Sequence, residues 1–458
     1  MKYRAGKQVM KTWLLTVSLT ALQGVALLLT AAPSPPAARD LVRAHVEREY
    51  PSLFELYKYL HAHPELSSRE TQTAARLAEE LRQAGFEITA GIGGHGLAGV
   101  LRNGAGPTVL VRTDLDALPV KEQTGLPYAS TVTARTEAGD EAPVMHACGH
   151  DVHMTCLVGT ARVLAGLKDR WRGTLVLIGQ PAEETGGGAR AMLADGLFQK
   201  VPRPDVCLAL HDNAQYAAGT VLYTPGYTYA NVDSVDLIVH GIGGHGAYPH
   251  KTKDPVVLAA QIILGLQTIV SREMQPGEPA VVTVGSIHGG TKYNIIPDEV
   301  RLQLTVRSYT DEARNQLLAA IKRIARGEAL AAGLPDDRMP EVKLAEDFTP
   351  ATYNNPELTE RLAGVFKAWF GDHRVILKRP SVGGEDFSEY GRTPDKLPIC
   401  MFEVGGVDPA ALKLSERTGK ALPSLHSSLW APVPEPTIKT GITAMSAAVL
   451  ELMPGRKD

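Results

Sequence analysis

Thr174-Leu-Val-Leu-Ile-Gly-Gln-Pro-Ala-Glu-Glu184 joins a continuous apolar run to two adjacent carboxylates. A short run without polar alternation reads as a strand covered on both faces, and the Gln-Pro step ends it. The pattern recurs twice: Pro107-Thr-Val-Leu-Val-Arg112 leads into Thr113 and Asp114, and Asp205-Val-Cys-Leu-Ala-Leu210 ends in His211. Val42–Tyr59 and Glu70–Ala84 carry helical spacing, the second stopped by Gly85. Buried strands alternating with helices predict an α/β sheet flanked by helices, whose strand C-terminal ends open onto a ligand crevice. Three strands therefore deliver carboxylate and imidazole groups to one edge.

The middle of the chain has a different rhythm. Val232–His240 alternates as a strand, Asp254–Val270 is helical, and Ala280–Ile287 and Glu299–Ser308 are strands. Asp311–Ala332 is a second helix and Glu341–Glu346 a last short strand. The order β-α-β-β-α-β predicts a ferredoxin-like unit over 231–346. It interrupts a first domain that covers 40–230 and resumes over 349–453.

The 458 residues are 44% hydrophobic and 21% charged, enough apolar material for a sizeable core. A net charge of −3 excludes a strongly basic nucleic-acid binder. Four Cys in so long a chain do not form a disulfide framework, and Cys156, Cys207 and Cys400 read as buried, inert thiols. At the front, Lys2, Arg4, Lys7 and Lys11 precede an apolar run from Trp13 to Leu29 and then small residues to Ala38. This predicts a signal peptide over 1–38 and an exported protein, periplasmic or secreted, with an uncleaved membrane anchor as the alternative.

Five segments could carry chemistry. His146-Ala-Cys-Gly-His-Asp-Val-His153 holds three imidazoles and a thiol in eight residues, a density suited to a borderline-soft divalent metal such as zinc. In Gln180-Pro-Ala-Glu-Glu184, one carboxylate could bind a metal while its neighbour stays free to take a proton from bound water. Thr113-Asp-Leu-Asp-Ala-Leu-Pro119 places Asp114 and Asp116 on one side if strand geometry persists, with a turn or helix cap as the plainer reading. His211 and His426 taken singly read as structural or exposed. His245, in the glycine-rich Gly241-Ile-Gly-Gly-His-Gly-Ala-Tyr-Pro-His250, sits on the inserted unit and could stabilise an oxyanion if that unit closed over the cleft.

Together with Asn294-Ile-Ile-Pro-Asp298 and Gly384-Glu-Asp-Phe387, these motifs resemble the peptidase M20 family across roughly residues 45–452. More narrowly they resemble its amidohydrolase branch of hippurate hydrolases, N-acyl-amino-acid deacylases and auxin-conjugate hydrolases. The resemblance implies a two-metal catalytic domain on a mixed sheet, with an inserted lid and dimerisation domain and hence a homodimer. It makes Cys148, His150, Glu184, His211 and His426 metal ligands and Glu183 the general base. Asp116 becomes a carboxylate that orients a ligand. His245 and Asn294 serve the oxyanion or the substrate carboxylate, in this family sometimes from the neighbouring subunit. Arg307 and Gly384 complete the substrate contacts. Two divalent ions per subunit are implied, with zinc, manganese, cobalt and nickel all compatible with the donors. The substrate implied is a small N-acyl or N-aroyl amino acid. A dipeptidase or carboxypeptidase of the same family and a non-catalytic binding protein are the rivals. The sequence departs from the family where Asp212-Asn-Ala-Gln-Tyr216 follows His211, where Thr185 replaces the first Gly of a glycine run, and where Ser428 stands in place of Pro.

Overall fold

The computed structural model of the chain describes residues 36–345 and 347–455. The proposed signal segment therefore lies outside the described residues, apart from the start of the first helix at Pro36. An eight-stranded mixed sheet organises the structure, in the order 87–92, 96–103, 173–180, 108–114, 206–217, 399–407, 221–223, 375–377. The four strands at its centre are parallel neighbours, and antiparallel pairs flank them.

The continuous apolar runs arise because both faces of the sheet are covered. Val109, Val111, Leu175, Leu177, Leu208 and Leu210 pack into one core with the helices Pro36–Ala62, His150–Gly166, Pro356–Phe370 and Pro434–Leu452. Their alternates Leu110, Val176, Ile178, Cys207 and Ala209 face the other way, onto Met192, Leu197, Phe387 and Tyr390. All four cysteines are free and buried.

One strand is longer than the sequence suggests. The run expected to end at His211 continues to Ala217, so the strand end is corrected by six residues. Pairing with the strand Thr108–Asp114 stops at Arg112 opposite Ala209. Pairing with Ile399–Val407 continues from Glu403 opposite His211 to Val407 opposite Ala217. The wholly buried Ile399–Val407 supplies the partner that keeps this polar stretch extended. His211 thus sits where the sheet splits, a place where parallel sheets bind ligands.

Residues 231–344 form a separate four-stranded antiparallel sheet in the order 281–289, 299–308, 231–240, 341–344. That is the strand order of a ferredoxin-like unit. Its helices Pro255–Thr268 and Asp311–Ala331 begin at Asp254 and Thr310, whose side chains accept from Val256 N and Ala313 N. They bury Leu258, Ile262, Leu266, Leu317 and Ile321 against Leu237, Val239, Leu302 and Leu304. Val257, Leu264 and Val270 on the outer side are exposed.

Candidate metal centre

The donor set gathers from four elements. Cys148 and His150 flank Gly149 at the start of the helix His150–Gly166, and Glu184 follows the strand Gly173–Gln180. His211 comes from the split strand, and His426 from the loop before the last helix. The Cys148 Sγ lies 3.5 Å from His211 Nε2 and 3.3 Å from His426 Nε2. Glu184 Oε1 lies 3.5 Å from His426 Nε2 and 3.9 Å from His150 Nε2. Two ligands on one ion, each ~2.0–2.3 Å from it at a tetrahedral angle, stand about 3.3–3.8 Å apart. The spacing therefore fits shared divalent ions.

Hydrogen bonding at the far side of each ring agrees. His150 Nδ1 donates to the Asp116 carbonyl oxygen at 2.8 Å, and His211 Nδ1 to that of Asp212 at 2.6 Å. Each ring then presents its Nε2 lone pair to the cluster, the orientation that metal-bound histidines need. His150 Nε2 and Glu184 Oε1 are buried without hydrogen-bond partners among the described residues. Buried polar atoms left bare are costly, and a cation at their centre would satisfy both.

The electrostatics point the same way. Burial, with Glu184 and Glu183 close by, lifts the Cys148 thiol well above its usual range. Burial raises Glu184 to about 7, with His150 opposing and Asp116 adding. Burial disfavours a charged His150, but Asp114 and Asp116 outweigh it and hold the ring at about 9. Carboxylates, a thiol and imidazoles packed this closely hold protons where a divalent ion could replace them.

Glu183 stands beside that cluster, and with His150 and Glu184 it forms a further group close enough to hold an ion. Its Oε2 stands 3.9 Å from His150 Nε2, the nearest ion partner. Burial pushes its pKa strongly up, and Glu385, Glu184 and Asp386 add to the effect. Ala182, just before it, is held at φ 51°, a left-handed conformation unusual for a residue with a side chain. The buried carboxylate of Glu70 accepts from Ala182 N at 2.8 Å and from Ser68 N at 2.8 Å, pinning this turn. His426 also has positive φ, at 66°.

Asp116 holds the neighbouring loops together. Its Oδ2 accepts from Ser67 Oγ at 2.6 Å and from Glu184 N at 3.0 Å, while its carbonyl anchors His150. Gly149 has φ 76°, and a Cβ there would fall 2.5 Å from the Asp212 carboxylate. Only glycine fits between the two candidate donors Cys148 and His150.

A cleft of about 640 Å³ opens over the donors and reaches the inserted unit, where Val232, Ser234 and Arg307 line it. Arg307 is half-buried, its Nε donating to Thr305 Oγ1 at 3.0 Å. A Cβ on Gly384 would lie 2.4 Å from Val232 Cγ2, so this glycine lets the two parts meet. His245 and Asn294 do not line this cleft. They lie side by side at a two-stranded ribbon, His245 opposite Ile295 and Gly246 N donating to Asn294 O at 2.9 Å. His245 is exposed there. One chain therefore does not bring them to its own donor set, because their ribbon lies on the surface of the inserted unit.

Several contributors were not singled out in the sequence. Arg112 is fully buried and donates to Gln180 Oε1 at 3.0 Å, Asp114 Oδ2 at 2.8 Å and Glu385 Oε1 at 2.9 Å. Its Nη2 also reaches Asp386 Oδ1 at 3.2 Å. This network ties two strand ends to the 384–387 loop behind Glu183. His153, in the histidine-rich segment, is occupied by protein partners: its Nδ1 meets Asp114 Oδ1 at 2.8 Å and its Nε2 accepts from Asp212 N at 2.8 Å. The three-residue spacing from His150 to His153 along one helix face could have hinted at this supporting layer.

Comparison with known proteins agrees with this geometry. The sequence pattern of peptidase family M20/M25/M40 matches residues 110–418. Thermostable carboxypeptidase 1 of Saccharolobus solfataricus is 36% identical over 396 residues, 86% of this chain and 93% of that protein. Hippurate hydrolase of Campylobacter jejuni is 38% identical over 332 residues, 72% of this chain and 82% of that protein. The crystal structure of the YXEP protein of Bacillus subtilis, a dinuclear metal-binding peptidase from the M20 family, superposes with a TM-score of 0.70 at 27% identity. It covers 90% of this chain and 99% of its own. The chain belongs to peptidase family M20/M25/M40 and is a hydrolase of amide bonds.

Proposed function

We propose that the protein hydrolyses the amide bond of N-acyl or N-aroyl amino acids, using two divalent ions and Glu183 as general base. The observation that carries this reading is a second carboxylate, Glu183, next to Glu184 and beside a set of metal donors at the floor of one cleft. Cys148, His150, Glu184, His211 and His426 would hold the ions. Zinc, manganese, cobalt and nickel all suit a set of one thiolate, one carboxylate and three imidazoles. Bound there, the ions would polarise the amide carbonyl and make a water acidic enough to deprotonate near neutral pH.

The chain's own residues do the rest. Glu183 takes the proton of the attacking water and returns it to the amine nitrogen as the C–N bond breaks. Asp116 and Asp212 hold the His150 and His211 rings in place through their carbonyls. Arg307 pairs with the free carboxylate of the substrate, a task for which its planar guanidinium is suited.

His245 and Asn294 come from a second copy of the chain and stabilise the oxyanion, in a homodimer formed through the inserted unit. The exposed Val257, Leu264 and Val270 on its outer helix support that reading. The leader over 1–38 directs export, to the periplasm or the medium.

The test is hydrolysis of a panel of N-acyl amino acids and dipeptides by purified protein, after chelation and again after adding zinc, manganese, cobalt or nickel. Metal-restored cleavage of acyl amino acids over dipeptides is expected. Cleavage of dipeptides alone would place the activity with the carboxypeptidase-like relatives instead. No cleavage at all, with two ions bound per chain, would contradict an enzymatic role on these substrates.

A further inference from the structure

A separate cavity, of about 590 Å³, opens where the inserted unit meets the first domain. It shares no residue with the cleft over the donors. Three tyrosines form its aromatic side. Tyr227 and Tyr309 stack with ring centroids 5.5 Å apart, and Tyr353 meets Tyr227 edge-on at 4.8 Å. Ala351, Leu397, Pro398 and Ile399 continue that apolar surface. Ser388, in the same wall, is buried, and its Oγ has no hydrogen-bond partner among the described residues. Buried polar atoms are rarely left bare, so a polar group from outside the chain is expected beside it.

The charged part of the wall balances two acids against two bases. Asp311 and Arg392 spend each other across the junction, Arg392 Nη2 standing 2.9 Å from Asp311 Oδ2. Glu312, in the first turn of the helix Asp311–Ala331, has no ion-pair partner among the described residues. Neither has Lys396, in the loop before the strand Ile399–Val407. Asn355 uses its side-chain oxygen on Leu358 N at 2.9 Å, which leaves its amide nitrogen as a donor. A wall of one sign would select a simple anion or cation. One unspent group of each sign beside an aromatic surface suits a small zwitterion with a flat apolar side chain.

We propose that this cavity binds a free aromatic amino acid, with its ammonium on Glu312, its carboxylate on Lys396 and Asn355, and its ring against Tyr227 and Tyr353. Glu312 belongs to the inserted unit and Lys396 to the first domain, so the bound ligand ties the two parts together. The site also adjoins the working cleft through the chain. Tyr309 OH donates to Ser381 O at 3.1 Å, and one segment carries Ser381, Gly384 and Glu385 on the cleft and Ser388 on the cavity. The binding does not rest on the amide-hydrolase reading, although a free amino acid is what that reaction releases.

The experiment is calorimetric titration of the zinc-loaded protein with L-phenylalanine, phenethylamine and phenylpropionate. It compares the wild type with Glu312→Gln, Lys396→Met and Tyr353→Ala, three exposed positions, with metal content and thermal melting read alongside. An amino acid held at the donor set as a product would titrate alike in all four proteins, so only the component lost in the variants reports this cavity. The wild type is expected to bind phenylalanine about tenfold or more tightly than either the amine or the acid. Each variant is expected to weaken that component by about tenfold or more. No phenylalanine binding in the wild type, or unchanged binding in all three folded variants, would overturn the site. Phenethylamine binding as tightly as phenylalanine would overturn the zwitterion assignment. Failure of the protein to hydrolyse any acyl amino acid would contradict the proposed function and leave these binding outcomes as decisive as before.

Discussion

The donor cluster and the ribbon that carries His245 are opposites in construction. Around most of the donors the flanking groups are fixed: His150 and His211 by backbone carbonyls, Asp116 by Ser67 and Glu184, and Glu183 by a turn that Glu70 pins at Ala182, whereas His426 reaches in from a loop and is itself exposed. The ribbon is two residues long on each side, and His245 is exposed, with Ala247 N donating to its Nδ1 at 3.0 Å. A site that must hold ions needs its geometry set in advance. Groups that act only when a partner or a closure brings them need surface access instead. One chain brings the candidate donors together, and in the proposed reading the second region acts at the site of a second copy.

Removing metal should have the largest effect and should touch only the cluster. Chelation is expected to abolish turnover, and Cys148→Ala or His211→Ala to weaken metal binding by about 10²-fold or more, read by metal analysis after dialysis. Next in size, His245→Ala or Asn294→Ala should lower kcat by about 10²–10³-fold while leaving metal content intact. Mixing His245→Ala with Glu183→Gln chains should restore activity that neither has alone. Absence of such complementation would break the division between the two regions as drawn. Arg307→Ala should cost about 10–100-fold in kcat/KM, mostly through KM, as expected for one charge-assisted contact. The effect should vanish for substrates whose carboxylate is amidated.

The smallest effect concerns the scaffold under the cluster. Burial disfavours a charged His61, but hydrogen bonds to Asp151 at 2.7 Å and Glu122 at 3.0 Å outweigh it, raising the ring to about 10. An unfolded histidine titrates near ~6.5, so this contribution is complete below that pH and is lost as pH rises toward 10. Thermal melting followed from pH 6 to 10 should therefore decline more steeply in the wild type than in His61→Gln. Parallel curves would show that the buried triad adds nothing that titrates.

The candidate donor cluster was legible because such a cluster concentrates rare residue types at element ends, as in Cys148-Gly-His150 and Glu184. The inserted unit was legible because its strands alternate and its helices carry caps at Asp254 and Thr310. What the sequence hid were charges and polar runs placed where composition predicts exposure. Arg112 ends an apolar run and gives no sign that it is buried among Asp114, Glu385 and Asp386. Those partners lie as far as 274 positions away, beyond any local pattern. The polar stretch after His211 ends the apolar run in the sequence, yet it is held extended by Ile399–Val407. The left-handed turn at Ala182 is likewise a tertiary fact, since alanine does not favour that conformation by itself.

Turnover by Glu183→Gln, measured with bound metal counted in the same sample, tests the assignment of the base most directly. Two ions per chain together with a loss of about 10²–10⁴-fold in kcat is the expected result. Wild-type turnover with both ions bound would contradict it.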